Sequence, residues 1–205
     1  MRLTLTAECR FLILCIAILV SACTSLPTPA PTPGQALVPR PYQSQINMSG
    51  RLFAQYEKND NPQSISVHFD WAQTPGQTLI TLSSPTGQTV ATIVINAQGA
   101  QLIQADKPPQ IAADIDQLSE NILGWPLPAN GLHDWLQGFL DAKHATPVTK
   151  AMTDKAMLID GWSLRYVSWQ AEPSWERPKR LDLSHQTVQA GLVQIRIVVD
   201  EWVVP

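Results

Sequence analysis

Side chains able to do covalent or metal chemistry are sparse in this sequence. The four histidines, His68, His133, His144 and His185, are scattered, without the H-x-x-x-H spacing that holds a metal on one helix face. There is no G-x-S-x-G segment, so the turn that presents an esterase serine is not predicted. Asp134 follows His133, but neighbours on a helix point apart, and we interpret the pair as part of a solvated face. We expect no catalytic residue, no metal site and no cofactor.

One reactive group remains, Cys23, which closes an apolar N-terminal segment. Two arginines give the N-terminus a positive charge, and residues 11–20 form an apolar run too short to span a bilayer as a helix. The segment Leu-Val-Ser-Ala-Cys resembles the lipobox of bacterial lipoproteins, in which signal peptidase cuts before the cysteine and the sulfur is acylated. The resemblance implies a signal peptide over residues 1–22 and lipid attachment at Cys23. An ordinary secretory peptide cut nearby is the alternative.

The composition behind this segment is that of a soluble domain. Removal of residues 1–22 leaves 183 of the 205 residues, with a net charge of −4 and no basic footprint for nucleic acid. Cys9 and Cys15 leave with the signal, so the mature chain has no second cysteine for a disulfide or a zinc site. The two residues after Cys23 are uncharged, which, from the lipobox resemblance, implies an outer-membrane, periplasm-facing location.

The mature chain divides into a proline-rich segment and a domain in which apolar and polar residues alternate. Six prolines favour an extended, unfolded tether over residues 23–42. From residue 43 to residue 205 we predict one domain. Its predicted strands are residues 46–56, 65–71, 77–82, 88–95 and 100–105, and then 155–160, 162–170, 180–184 and 192–199. Residues 59–62 are predicted to be a turn.

Two helices are predicted between these groups of strands. Ala112, Ile115, Leu118 and Ile122 share one helix face, and Gly124 is a suitable stop. Asn130 is predicted to cap a shorter helix that continues to about residue 138. The fold class is therefore α+β. A sheet of about ten antiparallel strands curls strongly, so helices on its concave side would complete a half-barrel.

Several segments together resemble one family. They match the LolB family of outer-membrane lipoproteins in order and spacing, from about Gly50 to Trp202. The segments are Gly50-Arg51-Leu52, Phe69-x-Trp71, Ser84-Pro85-x-Gly87, Gly124-Trp125-Pro126-Leu127-Pro128, Leu132-x-x-Trp135-Leu136-x-Gly138, Gly161-Trp162, Pro178-x-Arg180-Leu181-Asp182-Leu183 and Ile197-Val198-Val199-Asp200-Glu201-Trp202.

The resemblance implies an unclosed β half-barrel whose helices cover an apolar cavity. The cavity would take the acyl chains of a lipoprotein from the soluble periplasmic carrier LolA and release them into the inner leaflet of the outer membrane. The expected partners are therefore LolA, acylated lipoprotein cargo and outer-membrane lipids, with the protein acting as a monomer. The alternative is an outer-membrane lipoprotein that serves as a structural or assembly partner without lipid transfer.

The candidate cavity wall consists of apolar residues on the predicted inner faces, each of which could instead be plain core. They are Phe69, Trp71, Leu82, Ile93, Ile115, Leu118, Ile122, Leu123, Trp135, Leu136, Ile195 and Ile197.

The resemblance also assigns a membrane-insertion loop to Pro85, Thr86 and Gly87. The family carries a bulky apolar residue between the proline and the glycine, whereas this chain has Thr86, which buries little apolar area. Either the loop lacks this role here or another exposed apolar residue takes it. Lys179 and Arg180 could meet an acidic patch on the carrier or lipid head groups, or could simply be solvated.

Overall fold

The computed structural model describes residues 41–141, 147–148, 155–172 and 175–205, all within one unit, Leu37–Pro205. The predicted signal peptide, Cys23 and His144 lie outside the described residues, as does the tether except for its last two residues. The division into signal, tether and domain stays a prediction.

The described residues contain ten strands and two helices. The strands are β1 (Ile46–Lys58), β2 (Asn61–Thr74), β3 (Gln77–Ser83), β4 (Thr89–Asn96), β5 (Gly99–Gln104), β6 (Lys107–Ala112), β7 (Met157–Ile159), β8 (Trp162–Ala171), β9 (Glu176–Thr187) and β10 (Gly191–Val203). The helices, α1 (Ile115–Leu123) and α2 (Ala129–Trp135), connect β6 to β7 along the chain.

The strands form a single antiparallel sheet in the order β6-β5-β4-β3-β2-β1-β10-β9-β8-β7. The first six strands and the last four strands are each a meander, and they join where β1 pairs with β10. Within the described residues β6 and β7 are the two edges, so the sheet is not closed. The predicted α+β class and the unclosed antiparallel arrangement are confirmed.

The hairpin between β1 and β2 is tighter than predicted. Asn59 and Asp60 have φ values of 53° and 59°, and they alone form the turn. Asn61 and Pro62 already belong to β2, paired with Lys58 and Glu57. A two-residue turn with positive φ matches the twist of the flanking strands, and Asn and Asp tolerate that conformation. The prediction of a four-residue turn over residues 59–62 was therefore wrong.

The edge strand β6 was not predicted from the sequence. It contains Pro108 and Pro109, which an edge strand accepts because one of its sides makes no ladder hydrogen bonds. Ala112 ends this strand and does not belong to α1, contrary to the predicted helix face. Strand β9 is also much longer than the predicted residues 180–184.

The first helix has defined ends. Asp114 caps it by accepting the backbone N–H of Gln117 at 2.7 Å. Gly124 ends it with φ 86°, and its N–H reaches the carbonyl of Glu120 at 2.9 Å. The predicted stop at Gly124 is confirmed.

The second helix begins differently from the prediction. The cap position is Pro128, whose carbonyl accepts the N–H of Leu132 at 2.8 Å, and no side chain caps this end. Proline presets φ near its helical value, so the helix starts one residue before Asn130, and the predicted Asn130 cap was wrong.

Two groups of buried apolar side chains stabilise the fold. The larger group lies between α2 and the strands β1, β2 and β8 to β10, and it includes Leu132, Leu164 and Ile195. The smaller lies between α1 and β4 to β6, and it includes Leu102 and Leu118. The space between these groups contains the candidate site.

Candidate functional site

An apolar recess of about 260 Å³ lies between α1 and the inner face of the sheet. Its polar lining side chains are Gln104 and Ser119. Val90 at the rim is 42% exposed, so the recess reaches the surface there. The apolar lining residues are Leu52, Ala54, Ile65, Val67, Leu82, Val90, Ala91, Ile93, Leu102, Ile115, Leu118, Ile122, Leu123, Trp125, Leu127 and Ile195.

The strands and the helix present these residues for simple geometric reasons. Alternate residues of a strand face the same side, so Leu52 and Ala54 on β1 face inward beside Ile65 and Val67 on β2. On α1, residues three and four apart share a face. This spacing directs Ile115, Leu118 and Ile122 toward the sheet.

A second cavity of about 70 Å³ adjoins the recess. Four lining residues belong to both, namely Leu52, Leu82, Ile93 and Leu127. The remaining lining residues are Phe69, Trp71, Ile80, Leu132, Leu136 and Ile197. Small movements of the four shared side chains would join the two spaces.

The polar groups near the recess differ in how well they are satisfied. The hydroxyl of Ser119 donates to the carbonyl of Asp116 at 2.9 Å and accepts the N–H of Leu127 at 2.7 Å, which ties α1 to the segment before α2. Trp125 is 1% exposed, and its Nε1 has no hydrogen-bond partner among the described residues. Trp125, a lining residue of the recess, therefore has an indole donor that is buried without a partner.

The predicted wall residues are found in three places. Seven line the larger recess, namely Leu82, Ile93, Ile115, Leu118, Ile122, Leu123 and Ile195. Phe69, Trp71, Leu136 and Ile197 line the smaller cavity. Trp135 lines neither: its ring packs on Gly131, and its carbonyl accepts the hydroxyl of Tyr166 at 2.9 Å.

The sequence analysis missed several wall residues that the alternation of inward- and outward-facing residues along a strand would have identified. Ile65 and Val67 share strand parity with the predicted wall residues Phe69 and Trp71, and Leu52 and Ala54 lie two residues apart on the neighbouring strand. Trp125 carried no such signal, because it lies in an irregular Trp-Pro-Leu-Pro segment between the helices.

The predicted insertion loop is an exposed and well-hydrogen-bonded connection between β3 and β4. Ser84 donates its N–H to Gln88 at 2.8 Å, and its carbonyl accepts the N–H of Gly87 at 2.9 Å. The hydroxyls of Ser84 and Thr86 are 2.8 Å apart. Pro85, Thr86 and Gly87 are all exposed.

The histidine–aspartate neighbours on α2 do not form the solvated face that we predicted. His133 Nδ1 lies 3.0 Å from Asp134 Oδ1 and 2.7 Å from the hydroxyl of Tyr42, and all three side chains are partly buried. Burial, followed by the nearby charge of Asp134, raises the pKa of Tyr42 to about 12. These contacts attach the segment that precedes β1 to α2.

Among the described residues, no three His, Cys, Asp or Glu side chains are grouped so that they could hold a metal ion. No helix within the same residues is long and apolar enough to cross a bilayer.

Fold and site together define a half-barrel protein with a helix-covered apolar interior. The family model described as "Outer membrane lipoprotein LolB" matches residues 44–202. The chain therefore belongs to the LolB family of outer-membrane lipoproteins, as its sequence segments predicted. Membership supports a role in outer-membrane lipoprotein localisation, and the predicted outer-membrane location is confirmed.

Curated relatives agree with this assignment. The outer-membrane lipoprotein LolB of Cupriavidus pinatubonensis is 31% identical, with 96% of this chain and 97% of the relative aligned. That of Thiobacillus denitrificans is 34% identical over 91% of this chain and 95% of the relative. Among solved structures, a LolA superfamily protein from Nitrosomonas europaea aligns with a TM-score of 0.44 and 8% identity, over 82% of this chain and 89% of its own.

Proposed function

We propose that this protein accepts the acyl chains of lipoproteins in the recess beneath α1 and delivers them to the outer membrane. The observation that carries the proposal is an almost wholly apolar lining that reaches the surface at Val90. An acyl chain needs no directed polar contact and gains roughly 25 cal/mol for each Å² removed from water. Such a site suits cargo with a constant lipid part and a variable protein part.

The described state is the narrow form of this site. Ligand pockets commonly measure about 300–1,000 Å³, and the recess of about 260 Å³ is below that range. Helix α1 packs on β5 and β6 through side chains such as Leu118 and Leu102. Outward movement of α1 would therefore enlarge the recess without breaking the hydrogen bonds of the sheet.

The proposed donor of cargo is the soluble periplasmic carrier LolA. Transfer in one direction requires that the recess hold acyl chains more tightly than the carrier does and less tightly than the bilayer does. The exposed loop of Pro85, Thr86 and Gly87 is the proposed contact with the membrane during release. This step adds no covalent chemistry and requires no cofactor.

An assembly role through a sheet edge fits the structure less well. Such docking adds a strand to an exposed edge. Here β6 carries Pro108 and Pro109, and β7 has only three residues, both of which hinder strand addition.

Binding of a fluorescent fatty acid tests the proposal. Leu118→Glu places a carboxylate on the buried wall, and we expect at least a tenfold loss of probe affinity. Ile111→Glu is the matched control, because Ile111 is 72% exposed and lies outside the recess. Ala91→Leu narrows the recess without adding charge and should also weaken binding, which covers the case in which Leu118→Glu does not fold. Equal binding by all four proteins would refute the proposal.

Depletion of the protein in cells separates transfer from assembly. Transfer predicts that lipoproteins accumulate on the periplasmic carrier. Normal lipoprotein localisation together with loss of another envelope complex would favour the assembly role.

A further inference from the structure

Three arginines surround one carboxylate on the outer face of the sheet, opposite the recess. Asp182 accepts hydrogen bonds from Arg180 at 2.7 and 2.9 Å, from Arg196 at 3.3 Å and from Arg165 at 3.5 Å. Strand register explains the grouping, since Asp182 on β9 pairs with Arg196 on β10 and with Arg165 on β8. The charges of two of these arginines are therefore not neutralised by Asp182.

The exposed arginines have donors to spare. The side chains of Arg165 and Arg196 are 54% and 53% exposed, whereas that of Asp182 is 22% exposed. Arg196 uses Nε toward Asp182, and within the described part of the chain no partner is found for its two terminal amino groups. A guanidinium with a free pair of N–H groups matches two oxygens of a phosphate.

A groove of about 420 Å³ lies directly beside these arginines. Its charged lining side chains are Arg165, Arg196 and Asp182, and Phe53 forms part of its wall. The other polar lining side chains are neutral donors and acceptors, namely Gln55, Ser163, Ser184 and Gln194. The groove therefore offers positive charge beside groups suited to hydroxyls.

We propose that this arginine groove binds the phosphate diester and the hydroxyls of an anionic phospholipid headgroup, so that the outer face of the sheet lies against the membrane. A membrane surface is favoured over an acidic protein because the chain belongs to a family of membrane-resident lipoproteins. The groove also fits a small polar headgroup better than a protein surface. The proposal does not depend on acyl-chain binding, since none of the charged or polar groove residues lines the recess.

The second basic pair of this face extends the same surface. Arg51 and Lys179 both contact Asp200, at 3.0 and 3.2 Å. The face thus contains five cationic side chains around two carboxylates, Asp182 and Asp200. Each basic side chain near an anionic bilayer strengthens binding roughly fivefold.

Arginine footprinting on the full acylated protein tests the proposal. The protein is placed in nanodiscs of phosphatidylcholine with or without phosphatidylglycerol, treated with an arginine-selective reagent and analysed by mass spectrometry. We expect Arg165 and Arg196 to be modified at least fivefold more slowly when phosphatidylglycerol is present. The protection should decrease at high salt because the interaction is electrostatic.

Paired variants supply the control. In R165Q/R196Q, the protection of Arg51 and Arg180 by phosphatidylglycerol should be lost. K58Q/K107Q removes the same charge from exposed positions outside the groove. In this variant the protection of Arg51 and Arg180 should persist.

Three results would overturn the proposal. The first is equal modification in both kinds of nanodisc. The second is full protection by millimolar inorganic phosphate in phosphatidylcholine nanodiscs, with no added effect of phosphatidylglycerol, which would identify free phosphate as the ligand. The third is protection that requires an added acidic protein.

Discussion

Gln137 binds the backbone of Gln43 at both its N–H and its carbonyl. Gln137 Oε1 accepts the N–H of Gln43 at 2.9 Å, and Gln137 Nε2 donates to the carbonyl of the same residue at 2.9 Å. A second buried amide, that of Gln73, donates to this carbonyl at 3.3 Å and accepts from the indole of Trp71 at 3.2 Å. Gln137 lies two residues after the end of α2, so the segment leading from the tether into β1 is attached to the helical cover.

Loss of this attachment should destabilise the protein. Gln137→Leu replaces the amide with an apolar side chain of similar size, and the N–H of Gln43 loses its partner. An unsatisfied buried polar group costs about 1–3 kcal/mol, and we expect a decrease of that size in the free energy of unfolding, measured in urea. Gln55→Leu, at an exposed site, should change the free energy of unfolding little. The same decrease in both variants would contradict this account.

Acid stability should depend on the arginine-bound carboxylate of Asp182. Burial acts to raise its pKa, but hydrogen bonds and charge from Arg180, and then from Arg196, outweigh burial and leave the pKa below its ordinary value. Because the pKa of Asp182 is lower in the folded than in the unfolded protein, its charged form stabilises the fold at pH values above about 4, the pKa of an unfolded aspartate. This stabilisation is lost as the pH falls below that value. Asp182→Asn should therefore lower stability at pH 7 and flatten its decline as the pH falls below about 4.

Denaturant melts at a series of pH values measure this effect. Asp106→Asn, which removes an exposed carboxylate from the turn between β5 and β6, is the control. If stability declined at low pH in Asp182→Asn as it does in the unaltered protein, Asp182 would not be responsible for the acid sensitivity.

A methyl group at Gly50 should not be tolerated. A Cβ at this position would lie 2.0 Å from the carbonyl oxygen of Val198 and 3.0 Å from the ring of Phe69. We expect Gly50→Ala to cost about 1–3 kcal/mol or more, because both neighbours belong to packed strands. Gly76→Ala, where a Cβ meets open space, should be neutral or slightly stabilising. Thermal unfolding of the two variants would show the difference, and equal melting temperatures would disprove the clash.

An apolar residue at the tip of the loop between β3 and β4 should accelerate delivery to membranes. Thr86→Leu leaves the backbone hydrogen bonds of Ser84 intact and adds a side chain whose full burial gains about 1.5–3 kcal/mol. We expect faster lipoprotein transfer from the carrier to liposomes. Thr74→Leu makes the same change at the exposed last residue of β2, beside the turn at the other end of β3, and it should have no effect. Equal acceleration by both variants would argue against a specific role of the loop.

The strands were predictable from the sequence where one face is buried and the other is solvated. The run from Ile65 to Trp71 alternates cleanly because its inner face packs on the core. Strand β6 was not predictable, because an edge strand tolerates Pro108 and Pro109. The extent of β9 was also hidden, because Pro178 and several charged residues interrupt its apolar pattern.

The candidate site was predictable in part. Ile115, Leu118 and Ile122 follow from helical spacing, and Leu82 and Ile93 from strand parity. The position of Trp125 in the lining depends on how an irregular segment folds back over the sheet, which no periodic pattern encodes. The grouping of the outer-face arginines escaped notice for a related reason. Arg165, Arg180 and Arg196 come from three strands, and only the pairing register brings them together.

The free rims of the sheet have an energetic consequence. A cylinder closed by hydrogen bonds must break a row of them in order to widen. Within the described residues β6 and β7 have no such row between them, and the width of the interior is limited by the packing of the helices and a few hydrogen bonds that they make. Swelling to admit a hydrocarbon tail and shrinking after its departure would then exchange one set of weak apolar contacts for another, with the strand framework intact throughout.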